Sequence, residues 1–224
     1  MQACDQILYF LGWPWGQRIG VRTDDELSED YPALLVRGQG ACMVSLAPEL
    51  EEAAAPVAEW LTPETCGAEL AAFLFDQEAP LALETAWFLI PGPEGVRPAP
   101  ARGRVCFDPP AADVRAFAAA VPEPDWLRGG LAPYARACAV YDGGELAALA
   151  GGRLLGGVLD LSFVTHPDFR GRGFGTAALS AMIAAYPKAL PLWRAEAGNR
   201  ASREAARRMG FCEYLLQEGI IFQG

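Results

Sequence analysis

The segment Thr165–Thr176 reads THPDFRGRGFGT and joins a predicted strand, Val158–Thr165, to a predicted helix, Phe174–Tyr186. The helix is predicted because its apolar residues recur every three or four positions, as on a buried helical face. The first backbone N–H groups of a helix are unpaired and carry partial positive charge. Glycines before such a start let an anion approach the backbone closely. The order strand, glycine loop, helix therefore predicts a phosphate site.

The glycine spacing alone leaves the kind of site open. A Walker loop requires Gly-Lys-Ser/Thr, and the only lysine of the chain is Lys188. A dinucleotide fingerprint requires G-x-G-x-x-G, whereas this loop reads G-x-G-x-G. Both of these phosphate motifs are excluded. At this point an anion site and an ordinary glycine-containing surface turn both remain open.

Two motifs in the expected order are more specific than the glycines. Residues 165–175 resemble the acetyl-coenzyme A motif R/Q-x-x-G-x-G/A of the GCN5-related N-acetyltransferase (GNAT) family. Downstream, Asn199–Ser202 and the pair Gly210 and Phe211 resemble the next family motif, N-x-x-S/A followed by G-F. The resemblance covers about residues 104–222.

The resemblance implies an α/β (α+β) fold, a mixed, twisted sheet flanked by helices, with a bulge in Val158–Thr165. It also implies that the backbone at about 163–165 pairs with the pantetheine arm of acetyl-coenzyme A. One N–H group there would polarise the thioester carbonyl for direct attack by a primary amine. The implied coenzyme A-binding residues are Phe163, Val164, Thr165, Arg170, Gly171, Arg172, Gly173, Phe174, Gly175, Thr176, Asn199 and Ser202.

The proton-transfer residues are less well defined. The family often has a tyrosine seven residues after the motif asparagine, where this chain has Ala206. Glu196 and Asp160 are the candidate bases. Tyr214 or Cys212 is a candidate acid, unless coenzyme A leaves as the thiolate without one. A solvated or salt-bridged structural role remains open for either carboxylate.

The proline- and glycine-rich segment Pro91–Pro100 divides the chain. We predict an amino-terminal α+β domain at residues 1–100 and the acetyl-coenzyme A-binding domain at 101–224. The smaller domain either shapes the acceptor pocket or is a degenerate second copy of the fold. Its predicted elements are strands Ala33–Arg37, Ala41–Ser45 and Thr85–Ile90, helix Pro48–Leu61, and helix Pro63–Asp76 capped by Thr62.

The larger domain alternates strands and helices. Asp142-Gly143-Gly144 is a turn signal that predicts a hairpin. The other predicted elements are strands Arg104–Phe107, Arg136–Tyr141, Glu145–Gly151, Leu192–Ala197 and Glu213–Phe222, helices Pro110–Ala120 and Arg200–Met209, and a short helical piece around Trp126.

Charge and composition limit the partners. The net charge is −10, with −12 in residues 1–135 and +2 in residues 136–224, which argues against nucleic-acid binding. No apolar run is long enough for a membrane span. A single histidine, His166, excludes a multi-histidine metal site, and we expect no metal.

The cysteines and the amino terminus indicate the compartment. Six scattered cysteines without a C-x-x-C pair suit reduced thiols. Residues 1–10 contain no basic residue, so they lack the charged start of a signal peptide. We expect a cytoplasmic monomer or homodimer. Its predicted activity is acetyl transfer from acetyl-coenzyme A to a primary amine of a small molecule. The alternative is a non-catalytic acyl-coenzyme A-binding or regulatory module.

Overall fold

The computed structural model describes residues 3–75, 81–121 and 136–222. Two compact units divide the chain. The first comprises Met1–Leu89, Ala195–Arg203 and Glu213–Gly224, and the second comprises Ile90–Arg194 and Glu204–Cys212. These bounds differ from the predicted division at residue 100, and the independence of residues 1–100 as a domain stays a prediction. The predicted helical piece around Trp126 lies outside the described residues.

The strands of the first unit lie in the order β1-β3-β2-β10-β4. β1 runs parallel to β3, whereas β2 is antiparallel to both β3 and β10. The predicted hairpin turn at Gly38-Gln39-Gly40 is present, and all three residues have positive φ. The strand bounds are β1 Ile19–Thr23, β2 Ala33–Gly38, β3 Ala41–Leu46, β4 Leu81–Pro91 and β10 Phe211–Phe222.

The helices of the first unit are α1 Ala3–Phe10, α2 Ala54–Trp60 and α3 Gly67–Leu74. The prediction did not include α1 or β1. The helix predicted at 48–61 is divided into a 3₁₀ helix, Pro48–Ala53, followed by α2. Side chains from α2, α3 and the strands form one apolar core that includes Leu35, Val57 and Leu70.

The predicted start of the next helix at Pro63 was wrong. The Thr62 N–H donates to Thr65 Oγ1 at 3.1 Å, and the Thr65 N–H donates to Thr62 O at 3.1 Å. These bonds close a turn and delay the helix, because threonine side chains compete for backbone groups. α3 begins after Cys66, whose N–H donates to the Glu69 carboxylate at 2.9 Å.

The strands of the second unit lie in the order β9-β8-β7-β6-β5. β5 to β8 are successively antiparallel, and β8 and β9 are parallel. The predicted hairpin joins β6 and β7. The strand bounds are β5 Arg104–Phe107, β6 Arg136–Asp142, β7 Glu145–Leu155, β8 Val158–Thr165 and β9 Leu190–Glu196.

Helices α4 Ala111–Ala120 and α5 Phe174–Ala185 cover opposite faces of these strands. Val114 and Phe117 of α4 pack in one cluster with Leu149, and Val164 lies against it. α5 packs on the other face, which carries Phe163. The last helix, α6, consists of Arg200–Arg208, and the boundary between the two units falls within it.

The prediction of a bulge in β8 was wrong. β8 keeps an unbroken register with β7 from Val158 to Thr165, and the irregularity lies between Val140 and Tyr141 in the β6–β7 pair. The predicted class is confirmed: the structure is an α/β fold with a mixed, twisted sheet flanked by helices.

Candidate active site

The two parallel strands of the second unit part before β8 ends. β8 pairs with β9 only from Val158 to Leu161, whereas β8 continues beside β7 to Thr165. Among the described residues, the 162–165 edge that faces away from β7 has no partner strand. An unpaired strand edge offers backbone donors and acceptors to another extended chain.

Aromatic side chains fill one face where the strands part. Trp193 is at the last paired position of β9 and is fully buried. Its ring lies edge-on to Phe163, with centroids 5.1 Å apart, and to Phe211 at 5.6 Å. The open edge therefore lies next to a layer of packed aromatic side chains.

The predicted phosphate loop connects this edge to α5. His166 opens a 3₁₀ turn over Pro167–Phe169, and its Nδ1 accepts the Asp168 N–H at 3.3 Å. Gly173 is the N-cap of α5 with φ 87°, a backbone conformation that side chains with a Cβ rarely adopt. The Thr176 hydroxyl donates to Gly173 O at 3.0 Å. The loop thus presents the start of a twelve-residue helix.

Gly175 has a different role from the other glycines of the loop. A Cβ atom there would lie 2.5 Å from Thr165 Oγ1 and 3.0 Å from the Phe163 ring. By contrast, a Cβ at Gly171 would meet no atom within 4 Å. Gly175 therefore lets α5 approach β8 closely, whereas the space at Gly171 is open to a ligand.

The arginines of the loop do not contribute equally. Arg172 donates to the Asp142 carboxylate at 2.7 Å, and its guanidinium lies 5.1 Å from the ring centroids of both Phe169 and Phe174. Arg170 donates from Nε to Thr165 O at 3.3 Å. Arg172, one of the predicted coenzyme A-binding residues, therefore already has a carboxylate partner in Asp142.

Asn199 caps α6. Its Oδ1 accepts the Ser202 N–H at 3.0 Å, so that oxygen already has a backbone partner. The amide nitrogen of Asn199 is the side-chain group that remains for the predicted contact with coenzyme A. Asn199 and Ser202, which belong to the second motif, both lie in the first unit.

Asp160 lies on β8 opposite Arg153, whose Nη2 is 3.4 Å from the carboxylate. Because side chains alternate along a strand, Asp160 is on the face opposite Phe163. Burial raises the pKa of Asp160, while Arg153 and Arg194 oppose that shift. A carboxyl with a raised pKa is a better proton acceptor when ionised.

The other candidates for proton transfer differ in the solvent exposure of their side chains. Glu196 ends β9 with an exposed side chain. Tyr214 lies on β10, where burial raises the pKa of its hydroxyl and a hydrogen bond from the Cys4 backbone opposes the shift. Cys212 is exposed, with Sγ 3.6 Å from Ile90 O. Ala206 is completely buried, so the position of the usual tyrosine packs into the interior.

The sequence reasoning did not identify two further features. A pocket of about 420 Å³ is lined by residues of α4, the β6–β7 hairpin and the His166 turn. At its base the Tyr141 hydroxyl donates to Asp113 at 2.7 Å. Arg102 lies beside the start of α5. Neither feature has a local sequence signal, because each depends on contacts between distant segments.

The described residues contain no cluster of three or more histidine, cysteine, aspartate or glutamate side chains that could hold a metal ion. Within the same ranges, every helix is too short or too polar to cross a membrane.

Comparison with known proteins identifies the class. Residues 107–211 match the model of the acetyltransferase (GNAT) family. No curated protein matches the sequence. The residues at 107–211 are therefore a GNAT acetyltransferase domain, which confirms the resemblance drawn from the two motifs. Members of this family use acetyl-coenzyme A as a substrate.

Solved structures share the fold. A GNAT-family protein from Novosphingobium aromaticivorans is 18% identical, with TM-score 0.51, and the match covers 73% of this chain and 83% of that one. An acetyltransferase from Colwellia psychrerythraea is 17% identical, with TM-score 0.54 and coverage of 80% and 75%. A protein of unknown function from Staphylococcus epidermidis is 8% identical, with TM-score 0.55 and coverage of 72% and 69%. These identities indicate a shared fold only.

Proposed function

We propose that the protein transfers the acetyl group of acetyl-coenzyme A to a primary amine of a small molecule. The observation that carries the proposal is the open β8 edge at 162–165, which leads directly into the glycine loop and the start of α5. An unpaired strand edge suits the amide-containing pantetheine arm. A helix start suits a diphosphate.

The reaction needs few groups from the protein. The amine nitrogen forms a bond to the thioester carbonyl carbon, the C–S bond breaks, and coenzyme A leaves as the thiolate. A backbone N–H between Phe163 and Thr165 donates to the carbonyl oxygen as negative charge develops there. A base accepts the proton that the ammonium loses before attack, and a second N–H proton passes to solvent or to the thiolate as the amide forms.

Asp160 and Glu196 are the candidate bases, and they differ in environment. Burial raises the pKa of Asp160, which makes the ionised carboxylate a stronger base, but its Arg153 partner also fits a structural ion pair. The side chain of Glu196 is exposed to solvent. Ala206 cannot donate a proton, so the thiolate leaves unassisted or receives a proton from Tyr214 or Cys212.

The activity is tested with purified protein, acetyl-coenzyme A and a panel of small amines, by following the release of free thiol. Asp160→Asn and Glu196→Gln are then compared with Glu59→Gln, which changes an exposed carboxylate on α2. Loss of a general base lowers kcat by roughly 10²- to 10⁴-fold while acetyl-coenzyme A binding is retained. Release of no thiol with any amine, despite cofactor binding, would contradict the proposal.

A second function is favoured by one observation. Because Ala206 is buried where the family often has a tyrosine, the chain also suits a non-catalytic acyl-coenzyme A-binding or regulatory module. Such a module binds acyl-coenzyme A, and the double change Asp160→Asn with Glu196→Gln leaves that binding unchanged. The non-catalytic function would be excluded if the original protein released thiol when an amine was added and the double variant did not.

We also propose a cytoplasmic location and a monomer or homodimer. All six cysteines are free, which suits a reducing compartment. The net charge of −12 in residues 1–135 favours a cationic amine as the acceptor over a nucleic acid.

A further inference from the structure

The proline- and glycine-rich segment 91–103 belongs to the second unit and is hydrogen-bonded to other parts of it. The Gly92 N–H donates to Gly210 O at 2.8 Å, and the Arg97 N–H donates to Met209 O at 2.8 Å. The Ala99 N–H donates to the Ser180 hydroxyl on α5 at 2.8 Å. The backbone of this segment is therefore tied down up to three residues before Arg102.

The backbone is equally constrained after Arg102. Gly103 has φ 58°, and a Cβ atom there would lie 2.1 Å from Tyr141 O, so only glycine fits. Arg104 then pairs with Tyr141 as β5 begins, and its guanidinium lies 4.6 Å from the centre of the Tyr141 ring. The backbone at Arg102 is thus held by contacts of the residues on both sides of it.

The side chain of Arg102 points to the start of α5. Its Nε is 3.9 Å from the position that a Cβ at Gly173 would occupy. Arg102 is exposed, and within residues 3–75, 81–121 and 136–222 no carboxylate forms an ion pair with it. A guanidinium without a carboxylate partner beside a helix start is suited to a phosphate.

One of the two loop arginines that the sequence predicts to bind coenzyme A already has partners within the protein. Arg172 is paired with Asp142 and lies over two aromatic rings. A phosphate would have to compete with Asp142 for Arg172, but it would meet Arg102 without such competition. Arg102 also lies outside the family match, which begins at residue 107.

We propose that Arg102 binds the diphosphate of acyl-coenzyme A and supplies positive charge beside the helix start, next to Arg172, which is already paired with Asp142. The inference rests on the proposed function, since it requires coenzyme A at the loop. The segment 91–103 is then part of the binding site, and its hydrogen bonds to α5 and to residues 209–210 position the guanidinium.

The test is calorimetric titration of coenzyme A and of dephospho-coenzyme A, which lacks the 3′-phosphate but keeps the diphosphate. The variants are Arg102→Ala, Arg102→Lys and the matched control Arg97→Ala, which removes an exposed arginine of the same segment. We expect Arg102→Ala to weaken both ligands roughly tenfold or more. Arg102→Lys retains the charge, so its affinities for both ligands fall between those of Arg102→Ala and the original protein. Arg97→Ala binds both ligands within about twofold of the original affinity.

Three results would overturn the inference. Equal coenzyme A affinity in Arg102→Ala and the original protein would overturn it alone. A loss confined to coenzyme A, with dephospho-coenzyme A unaffected, would move the contact to the 3′-phosphate and refute the diphosphate assignment. Failure of the original protein to bind either ligand would overturn the proposed function as well. Thermal unfolding of each variant separates lost binding from lost folding, and Arg102→Lys keeps the test valid if Arg102→Ala is unstable.

Discussion

Replacing Gly175 by alanine tests whether the approach of α5 to β8 forms the loop. The added Cβ would lie 2.5 Å from Thr165 Oγ1 and 3.0 and 3.1 Å from two Phe163 ring carbons, where ordinary contacts begin at 3.4 Å. The helix start must therefore move outward by about 1 Å, or both side chains must shift. Overpacking of this kind costs about 1–3 kcal/mol.

The gain in helix propensity offsets part of this cost. Alanine is favoured over glycine by at most about 1 kcal/mol in a helix interior, and by less in the first turn. We expect Gly175→Ala to lower the free energy of unfolding by about 1 to 2 kcal/mol, measured by urea denaturation. Coenzyme A affinity falls too, because the displaced helix start no longer meets the open β8 edge.

A double-mutant cycle isolates the contact. Thr165→Ala removes the Oγ1 atom that the new methyl group meets, so the double variant recovers about 1 kcal/mol relative to additivity. Gly198→Ala is the matched control, because a Cβ there meets no atom within 4 Å. It changes stability by less than about 0.5 kcal/mol. If Gly175→Ala retained both its stability and its coenzyme A affinity, close packing of α5 would not form the loop.

Two further predictions concern buried polar groups. Burial and the hydrogen bond to Asp113 raise the pKa of Tyr141 to about 12, from an ordinary value of 10. The unfolded chain loses this proton first, so the free energy of unfolding falls as pH rises from about 10 to 12. Tyr141→Phe reduces that fall in urea denaturation, and an unchanged pH profile would contradict the assignment. Arg37 donates to the buried Glu218 carboxylate at 2.5 Å, so Arg37→Met leaves that carboxylate unpaired and costs about 2–3 kcal/mol. The double change Arg37→Met with Glu218→Leu recovers most of this loss in the same assay, whereas equal loss in the single and double variants would argue against the pair.

The absence of the usual tyrosine has a structural counterpart. Ala206 is completely buried. A tyrosine hydroxyl would need space and a hydrogen-bond partner that an interior alanine position does not provide. The alanine is therefore part of the packing of α6, and a proton for the proposed thiolate would have to come from solvent or from another residue.

Elements with a strong local signal were predicted well. The hairpin of β6 and β7, the strand β8 and the helix α5 each follow from a turn signal or an apolar period, and their bounds in the structure agree to within a few residues. Local signals failed where tertiary contacts decide. α1 was not predicted, although Cys4, Ile7 and Leu8 have helical spacing and are buried, because eight residues are too few for a reliable periodic signal.

The start of α3 shows the same limit at the scale of single hydrogen bonds. Thr62 and Pro63 form an acceptable helix start by composition, but the Thr65 hydroxyl accepts the Thr62 N–H instead. The two alternatives differ by about 1 kcal/mol, which sequence patterns cannot resolve.

The sequence by itself determined the order of strand, glycine loop and helix start, because these are neighbours in the chain and their backbone geometry is local. It also determined the family, through a second motif at a suitable distance. Only the tertiary structure decided which side chains lie beside the loop. Asp142, thirty residues before Arg172, pairs with it, and the hydrogen bonds of segment 91–103 bring Arg102 to Gly173. Ion pairs and close approaches between distant segments depend on the packed fold, and no local pattern encodes them.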